Sequence, residues 1–271
     1  MPNRSRVRPR LPDGGIAYRR PVTLPEAAAI FAVGAGAGTI NAIVGAGSLI
    51  TFPTLLALGY APVVANVSNT VGLVPGSLTG ALGYRRELAG QRHRAIRLGA
   101  AGILGGLTGA TLLLALPPSA FEGVVPYLIL LSVVLVAVQP RLAAVMDRRR
   151  VDGHEHLLPL SIGVYAVGIY GGYFGAAQGV MLIALLGIFL PDDLQRLNGL
   201  KNVLALVINA MAAVIFIAVA PIVWPVTLLL AIGASAGGVV GAALGRRLSP
   251  GVLRVAIIVV GSAVAARMLL G

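Results

Sequence analysis

The sequence predicts an all-α polytopic membrane protein of two homologous halves. Each half has about four transmembrane helices and a short, glycine-broken segment that re-enters the membrane. Three observations predict this. Of 271 residues, 57% are hydrophobic and only 11% charged, with a mean hydropathy of +0.91, where a soluble domain carries about a quarter charged residues. The arginines flank the apolar stretches instead of interrupting them. The order of features also repeats at a constant offset of 132 residues, which puts Gly36 on Gly168, Gly47 on Gly179, Leu58 on Leu190, Asn66 on Asn198 and Ala81 on Ala213.

The charge pattern removes several function classes. The formal net charge is +12, with six arginines in the first twenty residues, five between Arg85 and Arg97 and four between Arg141 and Arg150. These bracket hydrophobic runs, as positively charged cytoplasmic loops do, so no nucleic-acid partner is expected. With no cysteine there is no disulfide, thiol catalysis or cysteine metal site. There is no GxxxxGK[ST] phosphate loop for ATP, and no span holds a paired carboxylate or a Ser–His combination, so no enzyme is expected. His154 and His156, with Asp152 and Glu155, stand in a polar loop and read as solvated, not as metal ligands. No cofactor is expected.

In chain order, residues 1–22 read as a disordered basic cytoplasmic tail touching anionic lipid headgroups. The first half, 23–140, opens with a span at Leu24–Val44, where Pro25 and Glu26 suit a helix start. Segment 48–58 is shorter than the roughly twenty residues needed to cross and is expected to be re-entrant, with its backbone buried in protein or facing a wet cavity. Spans follow at Pro62–Tyr84, Leu98–Leu116 and Val124–Val138. A polar inter-repeat loop, 141–156, leads to the second half, 157–271. Its spans are expected at Leu157–Phe174, Leu197–Val219, Trp224–Leu244 and Val252–Leu269, with 180–190 as the second short segment. Gly105-Gly106 with Gly109, and Gly237-Gly238 with Gly241, have the spacing of close helix packing.

With short segments that do not cross, the positive-inside rule places the tail, Arg85–Arg97 and Arg141–Arg150 in the cytoplasm. Glu122 and Asp192-Asp193 are then external, and Arg246-Arg247 is left on the external side too. The halves would be related by an axis along the membrane normal. Inverted repeats follow if the crossing count per half differs by one.

Paired, Gly-interrupted hydrophobic segments at matching places in two halves point to a substrate site. At the first break stand Asn41, Gly45 and Gly47; at the second, Gly175, Gln178 and Gly179. Asn198, Lys201 and Asn202 then fall on one helical stripe that continues to Asn209. Asn66, Asn69 and Thr70, with Ser68 beside them, open the equivalent helix of the first half. Helix N-termini present free N–H groups and partial positive charge, the glycines let backbone approach a ligand, and the Lys201 ammonium adds charge-assisted donors. Together these predict a small anionic substrate. Two other readings remain at this point: the amides bond neighbouring helices, or Lys201 snorkels or pairs with Asp192 or Asp193. No carboxylate lies deep in a span, so a proton as coupling ion would travel with the substrate.

The breaks carry a resemblance to a known family. Gly45-Ala46-Gly47-Ser48, then Phe52-Pro53, Leu55 to Gly59, Ala65, Asn66, Ser68, Asn69 and Tyr84-Arg85-Arg86 resemble the first repeat of the sulfite exporter TauE/SafE (toluene sulfonate uptake permease) family. Gly171-Gly172-Tyr173-Phe174-Gly175, through Gly179 to Asn198 and Lys201, resembles its second repeat. The likeness covers roughly residues 28–270. It implies a plasma-membrane permease for small sulfur-containing anions such as sulfite or organosulfonates, driven by an ion gradient. A non-transporting accessory subunit and a transporter of a different small anion are the alternatives.

Overall fold

The computed structural model describes residues 21–148 and 156–244, with scattered helical positions between Val255 and Met268. Nine helices are bounded among the described residues: α1 (Leu24–Ile43), α2 (Ser48–Ala57), α3 (Pro62–Gly83), α4 (Arg92–Ala115), α5 (Pro118–Arg148), α6 (Leu157–Tyr173), α7 (Gln178–Phe189), α8 (Leu194–Val219) and α9 (Trp224–Leu244). The first twenty tail residues, Asp152, His154, Glu155 and Arg246-Arg247 lie outside the described residues, as does much of the expected span Val252–Leu269.

Helix ends follow local chemistry. At α1 the Thr23 N–H and hydroxyl both donate to Glu26 Oε2, at 2.9 and 3.0 Å, which ties the orphan donors of the first turn to a carboxylate. Pro62 opens α3 where its missing N–H costs nothing. Asp193 caps α8, its Oδ1 accepting from the Gln195 and Arg196 N–H groups at 3.0 Å each. α5 begins at Pro118 and continues to Arg148, well past the Val138 end expected. A hydropathy window sees the part that lipid would cover, not the helix beyond it.

The long helices meet through small residues, as the glycine spacing suggested. A Cβ on Gly237 of α9 would run into the Ala35 carbonyl of α1, and one on Gly109 of α4 into the Ile169 carbonyl of α6. Apolar lipid gives helices little hydrophobic reason to associate, so close backbone contact supplies the attraction. The same contacts fix direction. Gly34 and Gly72 both face Leu230, and Gly38 and Gly76 both face Ala234, so α1, α3 and α9 run parallel. Gly80 faces Asn202 while Gly199 faces Tyr84, so α3 and α8 run antiparallel.

Among the described residues, α1, α4, α5 (to Arg141), α8 and α9 are long and apolar enough to cross a bilayer. Two expected spans fall outside that set. α3 has 22 residues, but Asn66, Ser68, Asn69, Thr70 and Ser77 lower its hydropathy. α6 has 17 residues, about 25 Å of helix. α2 and α7, with 10 and 12 residues, are shorter still.

The sidedness expected from charge is corrected. Arg94, in the basic Arg85–Arg97 stretch, donates to Asp192 Oδ2 at 2.6 Å, and Arg196 Nη1 donates to the Ala89 carbonyl at 3.1 Å. The two stretches expected on opposite faces therefore sit at one end of the molecule. Asp192 pairs with Arg94 and Arg196 there, so the acidic pair does not mark the face opposite the basic stretch.

Candidate functional site at the two glycine breaks

The chain leaves α1 through Val44–Gly47 and leaves α6 through Phe174–Ala177. Gly45 and Gly175 hold φ of +84° and +78°, and Ala177 holds +58°. Glycine takes the left-handed region without strain, but a residue with a Cβ does not. The two breaks touch backbone to backbone: the Gly179 N–H donates to the Gly45 carbonyl at 3.1 Å, and a Cβ on Gly45 would lie 2.5 Å from Gly179 Cα. At Gly47 the N–H donates to Asn41 Oδ1 at 2.6 Å. Around them, Val44, Ala46, Phe174, Ala176 and Ala177 share one apolar core with Phe52 and Phe121. The Phe52 ring meets Phe174 edge-on at 5.2 Å.

The amide stripes turn inward. On α8, Asn198 Nδ2 and Asn202 Nδ2 donate to the Ala42 carbonyl at 3.3 and 3.2 Å. Lys201 Nζ donates to the carbonyls of Asn41 and Ala42 at 3.1 and 3.3 Å. The last carbonyls of a helix have no intrahelical donor and form its negative end, so an ammonium and two amides close the end of α1. Lys201 is 1% exposed. Neither snorkelling nor pairing with Asp192 or Asp193 describes it: Asp192 is taken by Arg94 and Arg196, and Asp193 lies 3.9 Å from Arg196. Burial alone would raise the Asp192 carboxyl, but the hydrogen bonds from Arg94, the Asp193 N–H and Arg196 outweigh it and hold the group below the usual range.

On α3, Asn66 Nδ2 donates to the Tyr173 carbonyl at the end of α6, at 2.9 Å. Its Oδ1 is buried with no hydrogen-bond partner. Asn69 turns to α2, accepting from Thr51 Oγ1 at 2.5 Å and donating to Ser48 Oγ at 3.3 Å. Gln178 Nε2 donates to Asn209 Oδ1 at 3.1 Å, leaving Gln178 Oε1 buried without a partner. Ser68 points elsewhere: its Oγ accepts from the Val223 N–H at 3.0 Å, joining α3 to the start of α9. Thr70 is buried beside Asn69. The structure thus gathers the breaks with Asn41, Asn66, Asn69, Gln178, Asn198, Lys201 and Asn202, and sends Ser68 to a helix joint.

Sequence reasoning missed Thr51, which fixes Asn69, and Ser132. The Tyr170 hydroxyl donates to the Ala176 carbonyl at 2.6 Å, and Ser132 Oγ on α5 lies 2.7 Å from that hydroxyl and 3.1 Å from the same carbonyl. Ser132 is the only polar residue between Leu128 and Val138, but a lone hydroxyl names no partner.

A buried ammonium and a set of amides at two broken helices can bind an anion once they release the carbonyls they now hold. Comparisons with known proteins bear on what such a site serves. The chain is 28% identical over 225 residues to a "Probable membrane transporter protein" of Haemophilus influenzae, covering 82% of this chain and 84% of that one. It is 24% identical over 241 residues to the "Probable membrane transporter protein YfcA" of Escherichia coli K12, with 89% and 88% covered. No solved structure matches. The pattern described as "Sulfite exporter TauE/SafE" matches residues 30–268. This multi-pass inner-membrane protein therefore belongs to the sulfite exporter TauE/SafE family of membrane transporters.

Proposed function

We propose that the protein is a secondary transporter of small sulfur-containing anions such as sulfite or organosulfonates, working by alternating access around the two breaks. The observation that carries this reading is Lys201. It is fully buried against the last carbonyls of α1, just before the first break, and among the described residues no ion pair reaches it. An uncompensated buried charge is costly, and a bound oxyanion would supply the missing countercharge. The helix-end carbonyls of α1 hold the ammonium when no anion does. Anion binding then competes for Lys201, Asn198 and Asn202 and frees the end of α1, linking occupancy to movement of the break.

We further propose that residues 23–140 and 157–271 are inverted halves around these breaks, with α2 and α7 as the re-entrant segments. Reciprocal packing supports this. α4 lies on α6 as α9 lies on α1, and Asn66 reaches the end of α6 as Asn198 reaches the end of α1. At the offset of 132 these are equivalent pairs, and the equivalent helices α3 and α8 run antiparallel.

The test is uptake of labelled sulfite, sulfate and a small organosulfonate into proteoliposomes, with and without an imposed ion gradient. Saturable, gradient-dependent uptake of a sulfur anion is expected. If none of the three moves above the empty-vesicle rate, the substrate reading fails.

A further inference from the structure

The ends of α1 and α6 occupy equivalent places but are closed unequally. The α1 end receives the Lys201 ammonium and two amides. Among the side chains described, the Tyr173 carbonyl at the α6 end receives only Asn66 Nδ2. The position matched to Lys201 is Asn69, and its amide is spent on Ser48 and Thr51 of α2. The position matched to Asn202 is Thr70.

What does surround the α6 end is oxygen. Asn66 Oδ1 is held beside the Tyr173 carbonyl by its own amide nitrogen, and Gln178 Oε1 lies against Gly171 so closely that a Cβ there would overlap it. Both oxygens are buried without a hydrogen-bond partner, and the residues are 1% and 3% exposed. Buried polar atoms are nearly always satisfied, and two lone acceptors beside the negative end of a helix call for a positive or donating group. The acceptors are neutral amide and carbonyl oxygens, and among the described residues no cluster of carboxylates or histidines could hold a metal ion. A divalent ion draws on carboxylates. A monovalent alkali cation suits neutral oxygens, and in transporters with broken helices the C-terminal ends of half-helices and unwound carbonyls coordinate such ions.

We propose that the C-terminal end of α6, bounded by Asn66 Oδ1, Gln178 Oε1 and the carbonyls of the last turn, binds a monovalent alkali cation. This ion takes the place that the Lys201 ammonium fills at α1. It is the coupling ion of the transport cycle; only that coupling role rests on the anion-transport reading. Bound cation steadies the second break, which touches the first through Gly179 and Gly45, and so favours the arrangement in which the anion site forms.

The test is equilibrium binding of radiolabelled sodium and rubidium to the purified full-length protein in detergent, with no anion substrate present. Saturable binding of one of them is expected. Gln178→Leu, which removes the acceptor, should weaken it at least tenfold, and Gln178→Glu, which adds charge, should tighten it. Gel filtration confirms that each variant is folded. Absence of saturable binding of either ion to the wild type, or binding that neither substitution changes, overturns the site. Because no anion is used, cation binding with no flux of any sulfur anion would refute the substrate reading alone, and anion flux with no cation binding would refute this site alone.

Discussion

Gly45 and Ala177 stand 132 residues apart, one in each break, and both hold a left-handed backbone. They should respond differently to exchange. Ala177→Gly relieves about 1–2 kcal/mol of left-handed strain and loses about 0.5–1 kcal/mol to added chain entropy, so stability should change by less than about 1.5 kcal/mol. Gly45→Ala adds the same strain and also drives a Cβ to 2.5 Å from Gly179 Cα, so it should destabilise by clearly more than Ala177→Gly changes anything. Thermal unfolding in detergent measures both; equal effects would show that the breaks do not press together. At this scale the sequence showed the amide stripes, because Asn66 with Asn69 and Asn198 with Lys201 and Asn202 recur at helical spacing. It did not show Thr51 or Ser132. A lone hydroxyl in an apolar run is common, and their partners, Asn69 and Ala176, lie 18 and 44 residues away.

The helices with clear apolar edges were legible: α9 is the span expected, and α1 ends one residue short of it. α3 and α6 were read as ordinary spans because periodicity and glycine position carry no information about what a helix packs against. α3 can hold a polar stripe because α2, α8 and α9 cover it, which hides Asn66 and Asn69 from lipid. The tie between α4 and α8 is electrostatic at its end, where Asp192 accepts from Arg94 and Arg196. The folded carboxyl titrates below its ordinary value. The stability it adds is therefore full above the ordinary carboxylate range and is lost as pH falls through the folded value. Asp192→Asn should lower Tm at neutral pH, and its gap from wild type should close in acid. A gap that stays constant with pH would mean that the arginines do not act through the carboxylate charge.

Across the whole molecule, charge counting misled because Asp192 and the basic α3–α4 turn share one end, a pairing that no local pattern reveals. The absence of cysteine makes single-cysteine labelling clean. In membrane vesicles an impermeant thiol reagent should reach Arg92→Cys and Asp193→Cys, both at exposed positions, from one side, and Glu122→Cys from the other. Labelling of Arg92→Cys and Asp193→Cys from opposite sides would contradict the antiparallel arrangement of α3 and α8. The amides and the ammonium that close the broken helices are, in this account, the anion's ligands, and flux through variants tests that most directly. In proteoliposomes, Lys201→Ala combined with Asn198→Ala should reduce sulfur-anion uptake at least a hundredfold, while gel filtration and Arg92→Cys labelling stay as in the parent protein. Uptake at the wild-type rate by that folded double variant would contradict the site at the two breaks.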